Sequence, residues 1–496
     1  METATQELHR LTSYSPDRDW DEPPDDPRAR HDFQSNDYAT LPLFYKRYAP
    51  GLPRLTLPRE LPTTTAPALT VLSGTGLSGT GLSGTGLTGT GGVDLPALAR
   101  LLYWSAGIVR TSPRATYTHL FRAAGSAGGR FPLDVYVAVP AGYPGLPEGV
   151  HCYDPLEHAL VTVGPAPGAG APTIVVTGIP WRTGWRYGER GYRHVYWDAG
   201  TMLAQTLALA DSAGIATRLY TRFPDADVAA LVGADQVHEW PVAVIALGAG
   251  APVLRPAGLA EPGETDTAPL EFPLVTAAQR AGDGDTLGDP WDQGAAADIP
   301  AAAGTPSVDP PSIDAVVATR GSQRRMNPNR GLPLATLSIS MNVALRGISV
   351  PHWVAVHDVT GLAPGLYRWP DLTTPVRDGN LRDELYRVTL DQALTRDAAF
   401  VVIAATDVSR LSDRDYREAQ LAAGIVEGRL HLAAYALGAS ATGMTFLDSE
   451  IPALLGSGEF PDGLIFTCVG VPDNTAKPAG PPGAPTSVRR VAERNG

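Results

Sequence analysis

The chain has 496 residues, which is enough for about three domains of ordinary size. Its net charge of −13 and its pI near 5.2 argue against a protein that binds nucleic acid or an anionic membrane. Either of those surfaces would need clustered Lys and Arg. The two cysteines, Cys152 and Cys468, lie far apart and form no CxxC pair, which excludes a cysteine zinc site and a disulfide framework.

The cysteines, the N-terminus and the longest apolar run indicate where in the cell to expect the protein. Free cysteines fit a reducing compartment, and the N-terminus has no basic-then-apolar secretion signal. The longest mostly apolar run, residues 241–254, is shorter than the ~20 residues that span a bilayer. We therefore expect a cytoplasmic protein with no membrane and no nucleic-acid partner.

Residues 1–92 are predicted to form an N-terminal arm and a Gly/Ser/Thr-rich linker. The arm is rich in Asp and Pro, and four pentads follow from Leu72, the last ending at Gly91. The pentads contain the dinucleotide pattern GxGxxG, but the match only recurs with the repeat. A nucleotide site would need a preceding strand, a following helix and a later acidic residue. The repeat is therefore interpreted as a flexible linker.

Residues 93–254 are predicted to form a first folded half. A helix is expected from Asp94, which can cap its N-terminus, to Gly107. The Gly/Ser/Ala loop around Ser126 precedes a strand at 133–139, and its bare N–H groups suit a flat or anionic ligand. An ordinary turn is the alternative for this loop.

One stretch of this half recurs later in the chain. Its members Arg190, Tyr192, Arg193, Gly200 and Gly214 reappear 224 positions later without a gap, as Arg414, Tyr416, Arg417, Gly424 and Gly438. Each copy predicts a charged, aromatic lead-in, a helix starting near Gly200 or Gly424, and a left-handed glycine cap. Glycine in such a helix permits close approach of another backbone. Two unrelated amphipathic helices are the alternative to duplication.

The rest of the chain fits a tandem duplicate. Residues 255–312 are rich in Ala, Gly and Pro and are expected to be a linker without regular structure. Residues 313–475 repeat the order of the first half, and residues 476–496 form a tail. We predict an α+β fold of two similar halves, a pseudo-dimer whose duplicated helices pack at its centre.

The loop Ser126-Ala127-Gly128 and the segment Arg186-Tyr-Gly-Glu-Arg-Gly-Tyr-Arg193 resemble the nitroreductase superfamily of FMN enzymes. More narrowly, they resemble its azoline dehydrogenase branch, which oxidises thiazolines or oxazolines in ribosomally made peptides. The resemblance covers residues 93–250 well and 313–472 more loosely. It implies FMN as cofactor, a modified precursor peptide as substrate, and a cyclodehydratase complex as a candidate partner.

The resemblance also implies cofactor-binding residues, which are divided between the halves. The superfamily grips the FMN phosphate with an Arg-x-Ser-x-Arg motif, which matches Arg320, Ser322 and Arg324 in the second half only. Phosphate dianions are well suited to arginines and hydroxyls. Close approach of the flavin ring is expected at Ser126, Ala127 and Gly128, and at Gly443. One complete set predicts one FMN per chain, in a monomeric pseudo-dimer or a homodimer.

Tyr187 and Arg186 are the predicted catalytic residues, at the position of a Lys-Tyr pair in that branch. A phenol can act as a base when a cation stabilises its charged form, whereas arginine cannot be the base itself. Arginine in place of lysine leaves the effect on activity open.

Other interpretations stay open at the level of sequence. Arg186 and Tyr187 could be a solvated lead-in and a core aromatic, and Arg320 and Arg324 could be surface charges. The protein could be an NAD(P)H-dependent ene-reductase or nitroreductase, because flavin serves oxidation and reduction alike. It could also be a degenerate scaffold without flavin. His119 and His194 lack metal-ligand spacing, and no metal site is predicted.

Overall fold

In the computed structural model, the chain forms two halves that share one arrangement of strands and helices. The structure describes residues 2–17, 37–74, 92–266, 268–296, 310–456 and 458–489. Most of the predicted Gly/Ser/Thr linker, residues 75–91, lies outside the described residues, as do residues 18–36 of the predicted arm and the end of the predicted tail.

The helices, in chain order, are α1 (Ala4–Leu11), α2 (Ala68–Ser73), α3 (Leu95–Ala106), α4 (Pro180–Tyr187), α5 (Gly191–Ser212), α6 (Asp225–Val232), α7 (Pro273–Ala281), α8 (Ile313–Thr319), α9 (Leu334–Ala344), α10 (Arg382–Val388), α11 (Ala393–Asp397), α12 (Asp413–Ala436) and α13 (Ile451–Leu455). The strands are β1 (Arg54–Thr56), β2 (Ile108–Pro113), β3 (Thr118–Arg122), β4 (Leu133–Val139), β5 (Gly149–Asp154), β6 (Ala159–Gly164), β7 (Thr173–Gly178), β8 (Thr217–Tyr220), β9 (Trp240–Leu247), β10 (Leu332–Pro333), β11 (His352–Val356), β12 (Val359–Thr360), β13 (Gly365–Arg368), β14 (Arg377–Asp378), β15 (Phe400–Thr406), β16 (Ser440–Met444), β17 (Asp462–Gly470) and β18 (Thr486–Ser487).

Both halves order their main strands in the same way. In the first half the neighbours are β5, β4, β7, β9 and β8, and in the second half they are β13, β11, β15, β17 and β16. Each of these pairs is antiparallel. At equivalent places in the two sheets, Val176 pairs with Val135 and Val402 pairs with Val354. The α+β fold with two similar halves is thereby confirmed.

The helix predicted from Asp94 is α3. The Asp94 carboxylate accepts a hydrogen bond from the backbone N of Ala97 at 2.9 Å, and Gly107 directly follows the last helical residue. This cap satisfies one of the N–H groups that a helix start leaves unpaired. Leu98 and Leu101 are buried in the main core of the first half, as the shared-face pattern predicts.

The two duplicated helices, α5 and α12, begin earlier than predicted. Their first residues are Gly191 and Asp413, so Gly200 and Gly424 lie inside the helices and do not start them. The lead-in is itself helical because its charged and aromatic side chains are buried against the rest of the protein. The predicted C-terminal glycines are confirmed, since Gly214 and Gly438 have φ of +70° and +74°.

Gly200 and Gly424 lie where α5 crosses α12. A Cβ on Gly200 would overlap the carbonyl oxygen of Leu421, and a Cβ on Gly424 would overlap that of Trp197. Trp197 and Leu421 are themselves 224 positions apart, so the two contacts are the same contact seen from each half. Such reciprocity defines an isologous, pseudo-twofold interface.

Two clusters of ion pairs, which we call the clasps, follow the same symmetry; each joins one aspartate of one half to two arginines of the other. Arg190, just before α5, and Arg193 on α5 both bind Asp448 of the second half, with N···O distances of 2.6 Å each. In return, Arg414 and Arg417 on α12 bind Asp225 of the first half at 2.6 and 3.3 Å. Burial alone would raise the pKa of Asp448, but the two guanidiniums hold that pKa well below its usual range.

Part of the segment 255–312 is folded, contrary to the expectation of a linker without regular structure. It contains α7, whose Gln279 Oε1 accepts a hydrogen bond from the Tyr196 hydroxyl on α5 at 2.8 Å. Asp283, just beyond α7, binds Arg417 on α12 at 2.9 Å. These contacts join distant parts of the chain, which local composition does not reveal. The domain boundaries themselves stay a prediction.

Two searches for other sites were negative in the part of the chain that the structure describes. None of its helices has the length and apolar character that crossing a membrane requires. Nor does it contain a group of three or more His, Cys, Asp or Glu side chains arranged to hold a metal ion.

Candidate functional site

The Gly/Ser/Ala loop before β4 is held on α5 by one buried carboxylate. Asp198 accepts hydrogen bonds from the Ser126 hydroxyl at 2.5 Å and from the Ala127 backbone N at 2.9 Å. Burial raises the pKa of Asp198 well above its usual range, and the two hydrogen bonds oppose that rise. Gly128 follows with φ of +58°, a conformation that favours glycine. The loop therefore has a fixed shape.

Tyr187 and Arg186 lie against this loop, at the end of α4. A Cβ on Gly128 would stand 2.5 Å from the Tyr187 hydroxyl oxygen and 2.9 Å from Cδ of Arg186, so only glycine admits them. The Tyr187 ring stacks on His194 with centroids 4.2 Å apart and planes at 9°. Burial, followed by the charge of Arg190, lowers the pKa of His194 to about 3, so His194 is neutral at pH 7.

The second half reaches the same loop through Arg320 and Ser322. A Cβ built on Gly125 would lie 3.4 Å from Nη1 of Arg320 and 3.8 Å from the Ser322 hydroxyl oxygen. Arg320 is 3% exposed, and its Nη2 donates to the carbonyl oxygen of Ala123. Within the described residues, its Nε and Nη1 have no hydrogen-bond partner.

Arg320 is thus a buried cation with unsatisfied donors. Burial lowers the pKa of Arg320 to about 10, so its side chain remains charged at neutral pH. A buried charge without an anion is costly, and a buried unpaired N–H adds to that cost. A phosphate group, which accepts several charge-assisted hydrogen bonds, would satisfy these donors, with Ser322 adding a hydroxyl. The donor set fits the phosphate of FMN.

Gly443 joins the site through Glu427. A Cβ on Gly443 would overlap the Glu427 carboxylate, whose other oxygen accepts from the Thr201 hydroxyl at 3.4 Å. Thr201 in turn contacts the Gly/Ser/Ala loop, since its methyl group lies 3.5 Å from where a Cβ on Gly125 would be. The predicted site residues of the two halves therefore lie around one seam beside the crossing of α5 and α12.

Arg324 stands apart from Arg320. It is exposed, and together with Arg130 and Arg114 it acts electrostatically on the buried His119. A Cβ on Gly129 would lie 2.8 Å from Nε2 of His119, which places these arginines beside the outer end of the glycine loop. The structure thus brings Arg324 to the rim of the site and Arg320 to its interior.

Sequence reasoning missed Asp198, Thr201 and Glu427. A signal for them exists in the duplication itself, because their counterparts 224 positions away are Ala422, Ile425 and Leu203. At each of these three positions one copy of the duplicated helix has a polar residue and the other copy has an apolar one. The polar residues therefore border only one of the two places that the pseudo-twofold symmetry relates.

A separate cavity of about 250 Å³ shares no residue with this seam. It is lined by Lys46, Tyr48 and Cys152 among others. Lys46 forms a buried ion pair with Glu239 at 2.5 Å and also donates to the Tyr136 hydroxyl. Lys46 is thus satisfied by neighbouring side chains, and the cavity lies away from the candidate site.

Comparison with known proteins agrees with this geometry. Residues 152–249, which contain α4 and α5, match the model of the nitroreductase family. A protein assigned as a nitroreductase in Methanocaldococcus jannaschii is 28% identical to this chain over 143 residues, which are 26% of this chain and 70% of that protein.

A solved structure extends the likeness in fold to 95% of this chain. A protein assigned as a nitroreductase in Anabaena variabilis matches with a TM-score of 0.68 and 22% identity, over 95% of this chain and 100% of that one. At that identity the likeness concerns the fold. A chain of the Escherichia coli microcin synthetase complex McbBCD, solved with a truncated microcin precursor bound, is 22% identical over 32% of this chain and 65% of that chain. Its TM-score is only 0.28. Family and fold together indicate a flavin-type oxidoreductase.

Proposed function

We propose that this chain binds one FMN at the seam between its halves and uses it to oxidise azoline rings in a ribosomally made peptide. The observation that carries the cofactor assignment is Arg320, a buried guanidinium whose Nε and Nη1 lack partners beside the glycine loop. An anion bound there would satisfy these donors and balance the buried charge.

The residues divide into those that would hold the cofactor and those that would act on the substrate. Arg320 and Ser322 would hold the phosphate, with Arg324 adding charge from the rim. Ser126, Ala127, Gly128 and Gly443 would border the ring system, with the loop fixed by Asp198. When bound, FMN supplies a reversible hydride acceptor.

Tyr187 is the proposed base. Converting an azoline to an azole removes two hydrogens, one as a proton from carbon and one as a hydride. The Arg186 guanidinium lies 5.7 Å from the centre of the Tyr187 ring, and Arg130 also acts on this tyrosine electrostatically. A general base must lie within reach of the proton that it accepts, and the Tyr187 hydroxyl lies against Gly128 of the loop. His194, whose ring stacks on that of Tyr187, holds the tyrosine ring in place.

One cofactor per chain follows from the asymmetry of the duplicated helices. The polar groups Asp198, Thr201 and Glu427 border one seam, whereas their counterparts are Ala422, Ile425 and Leu203. We expect a ratio of one FMN to one chain after saturation and gel filtration, measured from flavin absorbance. A ratio of two would require a second site at the apolar location.

The direction of the chemistry is tested by anaerobic flavin reduction. The proposal expects a thiazoline-containing peptide to bleach the flavin absorbance in single turnover, with its thiazole product seen by mass spectrometry. If no azoline peptide reduces the flavin but NAD(P)H does, the protein is a reductase. A protein that takes up no flavin would be the scaffold considered above. A cyclodehydratase partner stays a prediction from the resemblance.

A further inference from the structure

One exposed and two half-buried aromatic rings, those of Tyr38, Phe44 and Tyr117, lie beside the glycine loop. Tyr38 is 52% exposed, and its ring stacks on Tyr117 with centroids 5.4 Å apart. Tyr117 in turn stacks on Phe44 at 6.4 Å. Partly exposed rings grouped in this way indicate an interaction surface more often than isolated ones do.

Arginines accompany these rings. The buried His119 lies under them, with Phe44 at 5.2 Å and Tyr117 at 6.2 Å between ring centroids. Its pKa is lowered to about 3, first by burial and then by Arg130, Arg114 and Arg324 in that order. Three cations around one imidazole mark a local positive potential on a chain whose net charge is −13. We call Tyr38, Phe44, Arg114, Tyr117 and Arg130 the arginine–aromatic surface, with Arg324 at its edge.

This surface is continuous with the candidate site. Arg130 donates from Nε to the carbonyl oxygen of Gly128 at 3.3 Å, and its guanidinium lies 4.8 Å from the centre of the Trp185 ring. Gly128 is the residue against which Tyr187 lies. A molecule whose reactive part reaches Tyr187 would therefore extend over the arginine–aromatic surface.

We propose that the arginine–aromatic surface binds an acidic segment that flanks the reacting ring of the peptide substrate. This inference rests on the proposed function. Guanidinium groups bind carboxylates in bidentate geometry, and aromatic faces pack against the intervening apolar side chains of an extended peptide. The half-exposed Arg114 at the β2–β3 turn and the exposed Arg324 in the second half come from separate segments, and Arg130 adds its charge from a buried position after the glycine loop. Such a spread suits several carboxylates along a peptide better than one compact phosphate group.

The test measures binding of two synthetic peptides to the full-length, FMN-loaded protein by fluorescence anisotropy. Both are rhodamine-labelled dodecapeptides with one thiazoline, and they differ in carrying four Glu or four Gln residues around it. Arg114→Glu should raise the Kd of the Glu peptide at least tenfold and that of the Gln peptide less than twofold. Arg114→Gln is the milder companion. Arg255→Glu is the matched control, because Arg255 is an exposed arginine just beyond the first half, paired with Asp227.

Three results would overturn the inference. One is equal affinity of the Glu and Gln peptides, and another is loss of FMN from both Arg114 variants, which would assign this arginine to the cofactor. The third is a Kd for NADPH that rises in Arg114→Glu while the Kd of the Glu peptide does not, which would assign the surface to a nucleotide. Flavin reduction is scored separately. Discrimination between the peptides without any flavin reduction would support the surface and contradict azoline oxidation.

Discussion

At the scale of single residues, the site depends on side chains that are costly to bury unless something binds them. Arg320 is the sharpest case, because two of its donors face no acceptor among the described residues. Arg429 offers a natural comparison, since it is equally buried but its Nη1 donates to the carbonyl oxygens of Ala344 and Arg346. Arg429 caps the end of α9, whereas we propose that Arg320 binds an anion.

We therefore predict that Arg320→Gln weakens FMN binding about 10-fold to 100-fold, since each charge-assisted hydrogen bond contributes about 1.5–3 kcal/mol. Titration of FMN fluorescence measures the Kd. Arg429→Gln is the control and should lower thermal stability while leaving the Kd within about twofold. Unchanged FMN affinity in Arg320→Gln would place the phosphate elsewhere.

Tyr187 is the second residue whose role can be separated from structure. Tyr187→Phe keeps the ring on His194 and should keep FMN bound, but it should slow flavin reduction by a thiazoline peptide about 10²–10⁴-fold. Arg186→Lys should keep or raise the rate, since lysine supplies a cation and a possible base. Rapid-mixing absorbance under anaerobic conditions gives the rate. Tyr367→Phe, whose hydroxyl donates to the carbonyl oxygen of Ala363, is the control. Equal rates in Tyr187→Phe and wild type would remove Tyr187 from the mechanism.

At the scale of elements, α5 and α12 determine how the halves meet. Their backbones touch at Gly200 and Gly424, and Gly428 continues the close approach, since a Cβ there would lie 2.8 Å from Cβ of Ala204. Small residues on one face allow helices to approach within backbone contact, which is why neither helix could tolerate a larger residue at the crossing. The site lies beside this crossing, so its geometry depends on it.

Adding one methyl group at the crossing tests this dependence. Gly200→Ala and Gly424→Ala should each destabilise the protein by about 1–3 kcal/mol or more, because the added Cβ overlaps a carbonyl of the facing helix and overpacking is costly. Urea unfolding followed by circular dichroism measures the loss. Gly51→Ala is the control, since nothing lies within 4 Å of its Cβ position. Equal effects at Gly51 and Gly200 would contradict the crossing.

At the scale of the whole molecule, the chain is a covalent pseudo-dimer in which symmetry and asymmetry have separate roles. The clasps of Asp225 and Asp448 are symmetric and join the halves. The polar groups at the seam are asymmetric and confine the chemistry to one location. Fusion of two copies permits this division, because each copy can change without altering its partner, which two identical subunits cannot do.

The clasps carry a prediction about pH. Asp448→Asn should cost about 3–5 kcal/mol at pH 7, because it leaves two buried guanidiniums without their anion. The native pKa of Asp448 lies below its unfolded value, so its contribution is fully present above about pH 4 and is lost as the pH falls further. Urea unfolding at pH 7 and pH 3 should show the difference between wild type and Asp448→Asn shrinking at the lower pH. Glu2→Gln, in an exposed pair with Arg10, should change little at either pH. A pH-independent difference would contradict the clasp.

Much of this protein could be predicted from its sequence. The offset of 224 positions indicated the duplication, the cap at Asp94 predicted α3, and Gly214 and Gly438 predicted the helix ends, since each is a local pattern with a local physical cause.

Tertiary structure decided the rest. The true starts of α5 and α12 depend on what buries Arg190 and Arg414, and α7 packs on partners that its own composition does not reveal. The meeting of Asp198 with Ser126, and of Arg320 with Gly125, joins segments far apart in the chain. Sequence spacing carries local geometry, whereas a site at a seam is determined by which distant backbones pack together.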